Sequence, residues 1–123
     1  MDLFAGCGGL SLGLELAGFH PVFVNEINTN ALESYLVNRD AVEPRLRDTQ
    51  FHCNNIKELV THDRIEKLKK SLLSAHGISI DSGDLDLLVG GPPCQGFSGI
   101  GHRRSYSVDK KQLPSNHLYQ DMA

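Results

Sequence analysis

The sequence has no tryptophan, only two methionines and only three cysteines. No apolar run approaches the roughly 18 residues that cross a bilayer, and no charged-then-apolar leader opens the chain. A membrane partner is therefore not expected, and a reducing, cytoplasmic setting is. Cys7, Cys53 and Cys94 are odd in number and far apart. That spacing excludes a disulfide framework, and no pair has the separation of metal ligands, so no metal is expected. Basic charge is not in excess: 12 Lys and Arg stand against 15 Asp and Glu, a formal net charge of −3. Nothing here attracts a polyanion globally, so nucleic-acid binding would need a local basic patch. Repeats and low-complexity segments are also lacking.

What is present is glycine, 12 residues of it, set at the ends of short apolar runs. Residues 2–5, Asp-Leu-Phe-Ala, read as the end of a strand, and Gly6-Cys7-Gly8-Gly9 as the turn after it. A helix is predicted over 10–17, stopped by Gly18. A glycine turn opening a helix offers bare N–H groups and a positive dipole end to an anion. The full Gly-x-Gly-x-x-Gly fingerprint is absent, because Ser11 holds the third position. Val22-Phe23-Val24 reads as a second strand, ending at Asn25-Glu26. A carboxylate there, some twenty residues after a glycine loop, suits ribose hydroxyls in a βαβ unit; a solvated turn glutamate is the plainer alternative. Asn28 can cap a helix reaching about Arg39, and Pro44 breaks any continuation. Residues 51–56 could be a third strand, with Asn54 and Asn55 beyond it as turn caps or as readers of a heterocycle edge. A helix over 62–75 has one apolar face and a solvated basic one, with Gly77 as its cap. Residues 78–84 read as a loop. A last helix is expected from Asn116.

The chain is organised around Leu87-Leu88-Val89-Gly90-Gly91-Pro92-Pro93-Cys94-Gln95-Gly96-Phe97-Ser98. A buried strand over 85–89 stops at glycine, and two prolines then fix φ twice and remove two donors. Cys94 is thereby held just past a strand end, where open α/β sheets bind ligands. It is either a nucleophile or a small buried residue in a turn. Residues 99–111 are glycine-rich and basic, and a loop of that kind can lie on a phosphate backbone.

These residues resemble the first part of the catalytic domain of the DNA cytosine-5 methyltransferases. Asp2-Leu3-Phe4-Ala5-Gly6-Cys7-Gly8-Gly9-Leu10 is similar to that family's S-adenosylmethionine loop. Asn25-Glu26-Ile27 and Asn55-Ile56 resemble its second and third cofactor segments. Gly91-Pro92-Pro93-Cys94-Gln95-Gly96-Phe97-Ser98 resembles its catalytic loop, and the likeness continues through Gly101, Arg103, Arg104, Asn116, Leu118 and Tyr119. The resemblance implies the N-terminal portion of an α/β, Rossmann-like methyltransferase fold with S-adenosyl-L-methionine as cofactor. It implies cofactor contacts at Phe4, Gly6, Gly8, Gly9, Leu10 and Pro92. Glu26 would take the ribose hydroxyls and Ile27 an adenine face. Asn55, where the family usually has aspartate, would lie at the adenine amino group, with Ile56 beside the ring.

The resemblance also implies that Cys94 is the nucleophile. It would add to carbon 6 of a cytosine flipped out of duplex DNA, with Gln95, Ser98, Arg103 and Arg104 against the substrate. Cys7 and Cys53 are left as packing residues. The family mechanism also needs a glutamate in a Glu-Asn-Val segment that this chain lacks, together with later strands and a recognition domain. Met1 runs straight into Asp2-Leu3-Phe4, so the first strand has almost no lead-in. The expectation is an incomplete catalytic domain over residues 1–123. It would be inactive alone, sparingly soluble for its open edge, and dependent on its missing C-terminal portion or a complementary subunit. Compact spacing leans toward a bacterial or phage modification enzyme. A transfer-RNA cytosine methyltransferase, a nicotinamide or flavin dehydrogenase and a non-catalytic binding module are the alternatives. Gly96-Phe97-Ser98 favours the DNA branch over the first of these.

Overall fold

The computed structural model describes residues 1–93 and 114–121. Four two-residue strands, β1 (Asp2–Leu3), β2 (Val24–Asn25), β3 (His52–Cys53) and β4 (Val89–Gly90), form one sheet in the order β3-β2-β1-β4. Every pairing is parallel: Asp2 faces Val24 and Val89, and Val24 faces His52. Parallel strands require crossovers. The chain supplies them with α1 (Gly9–Leu16), α2 (Thr29–Val37), α3 (Ile56–Leu59) and α4 (His62–His76). This is the alternating α/β, Rossmann-like arrangement expected of a methyltransferase domain.

The core is built from the apolar runs. Phe23, Val24, Tyr35 and Leu72 are wholly buried, joined by Leu3, Leu32, Leu36, Phe51, Leu59 and Leu68. Asn28 caps α2 as its residue type predicts, its Oδ1 accepting from the N–H groups of Asn30 and Ala31 at 3.0 and 3.1 Å. Gly77 closes α4 at φ 70°, a left-handed conformation that glycine adopts without a Cβ penalty.

Several boundaries differ from the sequence reading. The strand expected over 85–89 contracts to Val89–Gly90, because only those residues register against β1. The segment 51–56 divides: His52–Cys53 is strand, while Asn55 caps α3 and Ile56 begins it. Pro44 opens a 3-10 helix, Pro44–Arg47, since a first-turn proline forgoes no hydrogen bond. A second short 3-10 turn, Ile80–Ser82, lies in the expected loop. The final helix is also 3-10 and begins earlier than expected, spanning Pro114–Asp121. The basic face of α4 is not purely solvated. Arg64 Nη2 donates to the carbonyls of Thr49 and His52 at 2.8 and 3.2 Å, and Lys69 pairs with Glu66 and Asp81.

Among the described residues β4 pairs only with β1. Leu12, Leu16 and Phe19 of the α1 region stand exposed, as do Ile27 and Val42. No helix among the described residues is long and apolar enough to cross a membrane.

Candidate functional site

Strand order reverses at β1. The chain steps outward from β1 to β2 to β3, then crosses back to place β4 on the other side of β1. The loops leaving the carboxyl ends of β1 and β4 therefore diverge and leave a crevice, where open α/β sheets bind ligands. The loop after β1 is the glycine turn. Gly6 and Gly8 have φ 57° and 90°, and Phe4, with φ 57°, is the one non-glycine among the described residues in the left-handed region. Such a conformation costs a substituted residue about 1–2 kcal/mol and is held here by the hydrogen bonds around it. Ala5 N–H donates to Asn25 O and Gly8 N–H to Ala5 O, each at 3.0 Å. Gly8 is the N-cap of α1.

Glu26 joins this loop to the end of β2. Its Oε2 accepts from Gly6 N–H and its Oε1 from Asn28 N–H, both at 2.8 Å. The carboxylate is thus oriented before any ligand arrives. Each of its oxygens keeps a lone pair, so a vicinal diol can still donate to it. Ile27, next in the chain, is 74 % exposed, and Leu10, in the first turn of α1, is half exposed.

The third segment follows the carboxyl end of β3. Asn55 Oδ1 accepts from Lys57 N–H at 3.1 Å as the cap of α3 and keeps a second lone pair. Ile56 is 5 % exposed and belongs to the core. Asn54, exposed, donates through Nδ2 to Glu26 O at 3.1 Å. Asn25, fully buried, clips β2 to the end of β3 by donating to Cys53 O and Asn54 O at 3.1 and 3.2 Å. Cys53 is half-buried, and burial pushes its thiol pKa up despite the Asn25 amide at 3.3 Å. A protonated thiol suits packing and not attack.

Pro92 follows β4 directly, and Gly91 N–H donates to Leu3 O at 3.3 Å, which ties the start of the Pro-Pro segment to the end of β1. Cys94, Gln95, Ser98, Arg103 and Arg104 lie outside the described residues. A cavity of about 340 Å³, lined by Met1, Phe19, Val22, Leu85 and Leu87 among others, opens at the amino ends of the strands, away from this crevice.

Sequence reasoning missed a polar network beneath the glycine loop. Arg39, 3 % exposed, donates from Nε to Glu15 Oε1 at 2.7 Å, from Nη1 to Tyr35 O at 3.1 Å and from Nη2 to Gly8 O at 3.2 Å. Its guanidinium lies 3.8 Å from the centre of the Tyr35 ring. The Tyr35 hydroxyl meets Ser11 Oγ at 2.7 Å, and Ser11 donates to Asp2 Oδ2 at 2.6 Å. An arginine two residues past a helix end carries no sequence signal that it turns inward.

Asp2 is 2 % exposed, and its Oδ1 has no hydrogen-bond partner among the described residues. Burial raises its carboxyl pKa above the ordinary 3.8, and the Ser11 hydrogen bond opposes that only in part. The folded state thus holds this proton more tightly than the unfolded chain. Stability from Asp2 is present at acid pH and lost as pH rises from 3.8 through the raised folded value. Urea unfolding of the wild type and Asp2→Asn across that range should show the wild type losing ground to the variant as pH rises. A flat or opposite difference would show that the carboxyl is not destabilised by its burial.

Comparison with known proteins bears on the same residues. The family model described as C-5 cytosine-specific DNA methylase matches residues 1–118. The chain is 31% identical over 123 residues to the type II methyltransferase M1.HphI of Haemophilus parahaemolyticus, covering 98% of this chain and 27% of that protein. It is 38% identical over 113 residues to the type II methyltransferase M.HindV of Haemophilus influenzae, covering 92% and 30%. It is 37% identical over 122 residues to the DNA (cytosine-5)-methyltransferase PliMCI of Paracentrotus lividus, covering 96% and 7%. The chain therefore spans less than a third of each of these relatives. Bacteria and an animal are both represented, so the matches do not favour a bacterial or phage source. No solved structure matches. A glycine loop and a Pro-Pro segment brought together at the β1–β4 reversal agree with a family match that runs from Met1 to Leu118, and the chain belongs to the C-5 cytosine-specific DNA methylases.

Proposed function

We propose that this chain carries the cofactor-binding part and the nucleophile of an enzyme that transfers a methyl group from S-adenosyl-L-methionine to carbon 5 of cytosine in duplex DNA. The observation that carries the reading is Glu26, held by Gly6 and Asn28 N–H at 2.8 Å at the edge of the crevice between the β1 and β4 loops. The residues present fit the cofactor. Glu26 would accept from the ribose hydroxyls and Ile27 would cover the adenine. The backbone of Gly6, Gly8 and Gly9, with Phe4, Leu10 and Pro92, would enclose the methionine part. Asn55, the cap of α3, would lie at the adenine amino group, with Ile56 beside the ring. When bound, the cofactor supplies an electrophilic methyl group on a sulfonium.

Cys94 acts on the cytosine. Its thiolate bonds to carbon 6, and the electron pair of the 5,6 double bond moves toward carbon 5, which becomes nucleophilic. Carbon 5 would then take the methyl group that the bound cofactor supplies, as that group's bond to the sulfonium sulfur breaks. Loss of the carbon 5 proton to a base and cleavage of the bond between the Cys94 sulfur and carbon 6 would restore the double bond and free the thiolate. Pro92 and Pro93 fix the backbone before Cys94, so that its sulfur meets the ring in a restricted geometry. The target base must leave the stack, at a cost of a few kcal/mol, and Gln95, Ser98, Arg103 and Arg104 would contact the substrate. The glutamate that protonates the ring, and the recognition domain, would come from a further portion of the protein or a complementary subunit.

The reading is tested by incorporation of tritiated methyl groups into duplex DNA, with an RNA duplex alongside. The chain is assayed alone and with the remaining portion of a longer relative supplied in trans. Label at cytosine carbon 5 of DNA, dependent on the added portion, is the expected result. Label in RNA only, or none in either arm, would sink it.

A further inference from the structure

We infer that Arg39 is a positioning residue that pins the glycine loop from beneath and so sets the part of the site that encloses the methionine half of the cofactor. The inference rests on the cofactor reading above and deepens it.

The geometry is one-sided. Gly8 lies directly on the Arg39–Tyr35 stack: a Cβ built there would fall 2.7 Å from Arg39 Nη1 and 2.7 Å from the Tyr35 ring. With φ 90° as well, Gly8 admits no side chain on either count. Gly8 O accepts both the first helical bond of α1, from Leu12 N–H at 2.9 Å, and the Arg39 Nη2 bond at 3.2 Å. The guanidinium therefore holds the residue at which the turn becomes a helix. Glu15, in the last turn of α1, holds the same guanidinium at its Nη2 and Nε, at 2.6 and 2.7 Å. Arg39 thus bridges both ends of α1 to the end of α2. Tyr35 adds the hydroxyl link through Ser11 to Asp2 in β1. Among the described residues no contact from Arg39 reaches Glu26 or Ile27 directly; Glu26 meets the loop at Gly6, two residues before Gly8.

This asymmetry predicts which ligand feels a change. A planar fork reaches three acceptors at once, and an ammonium does not. In Arg39→Lys the lysine can still pair with Glu15 but releases Gly8 O. Amide hydrogen exchange at Gly8 and Leu12, whose N–H groups donate to Ala5 O and Gly8 O, should then accelerate about tenfold, as expected for loss of one charge-assisted hydrogen bond. Exchange at Val24, across the sheet, should stay as it was. NMR titration of the same chain should show S-adenosylhomocysteine binding weakened about tenfold, while adenosine, which would reach Glu26 and Ile27 but not the Gly8–Leu10 end of the loop, binds as before.

If Arg39→Lys leaves loop exchange and S-adenosylhomocysteine affinity unchanged, the inference falls and the cofactor reading stands. If both ligands weaken together, or exchange collapses everywhere, the double variant Arg39→Met/Glu15→Leu decides, because it removes the ion pair without leaving a buried charge. Selective weakening of S-adenosylhomocysteine there supports the pin; equal weakening of both ligands makes Arg39 a general core prop and overturns it. A wild-type chain that binds neither ligand removes the cofactor reading and the inference together.

Discussion

Replacing Cys94 by serine is expected to abolish covalent capture of a duplex that carries 5-fluorocytosine. Fluorine at carbon 5 cannot leave as a proton does, so an adduct formed through carbon 6 and methylated at carbon 5 is frozen and visible by intact mass. The expected magnitude follows from the nucleophile. A free thiol ionises near pH 8.5 and leaves a useful thiolate fraction at neutral pH. A serine hydroxyl does not ionise there and would need a base to activate it. Loss of a nucleophile costs on the order of 10⁴–10⁶ in rate in enzymes of comparable covalent logic, which places the variant below detection. The wild-type chain is expected to form the adduct once S-adenosylmethionine and the remaining portion of a longer relative are present, and not alone. An adduct that persists in Cys94→Ser would move the nucleophile elsewhere. Cys53 is a poor replacement, because burial keeps its thiol protonated, and Cys7, exposed in the glycine turn, would be the residue to change next.

The second large effect is expected at Glu26. Its carboxylate accepts two backbone N–H groups at 2.8 Å, one from Gly6 and one from Asn28, and we assign it the ribose hydroxyls as well. Glu26→Ala removes all of these acceptors. Hydrogen bonds to a charged group contribute about 1.5–3 kcal/mol each, so S-adenosylhomocysteine affinity should fall by about two orders of magnitude or more. Glu26→Gln is the sharper test. Glutamine keeps the shape but turns one acceptor oxygen into an NH₂ group, which must then face the N–H of either Gly6 or Asn28. Donor against donor is unsatisfied, so the amide should also loosen the loop. The predicted order of affinity is wild type, then Glu26→Gln, then Glu26→Ala, measured by calorimetry with S-adenosylhomocysteine. Equal affinity in all three would show that Glu26 is only a loop clip, a role its present hydrogen bonds would satisfy.

The elements nearest the crevice were the most legible in the sequence. Gly6, Gly8 and Gly77 announce left-handed backbone, because side chains exclude it. Asn28 announces a cap, Glu26 a carboxylate at a strand end, and Gly91-Pro92-Pro93 a chain that cannot continue a strand. These are local rules, set within a few residues by sterics and donor count. The same rules placed Asn55 and Ile56 next to each other at the third segment without saying what each faces. The structure gives Asn55 to Lys57 N–H and Ile56 to the core, because a four-residue helix needs a cap and a buried apolar side chain more than the local pattern reveals.

By itself the sequence determined where the chain turns, which residues are apolar enough to be buried, and the family motifs that name the chemistry. Only the tertiary structure decided the order β3-β2-β1-β4 and with it which loops meet. It also decided that Arg39 enters the interior to hold Gly8 O, 31 positions away in the chain. The reason is physical. Turn propensity and capping are paid locally, whereas a buried guanidinium is tolerated only where separate segments bring Glu15, Tyr35 and Gly8 within hydrogen-bonding distance at once.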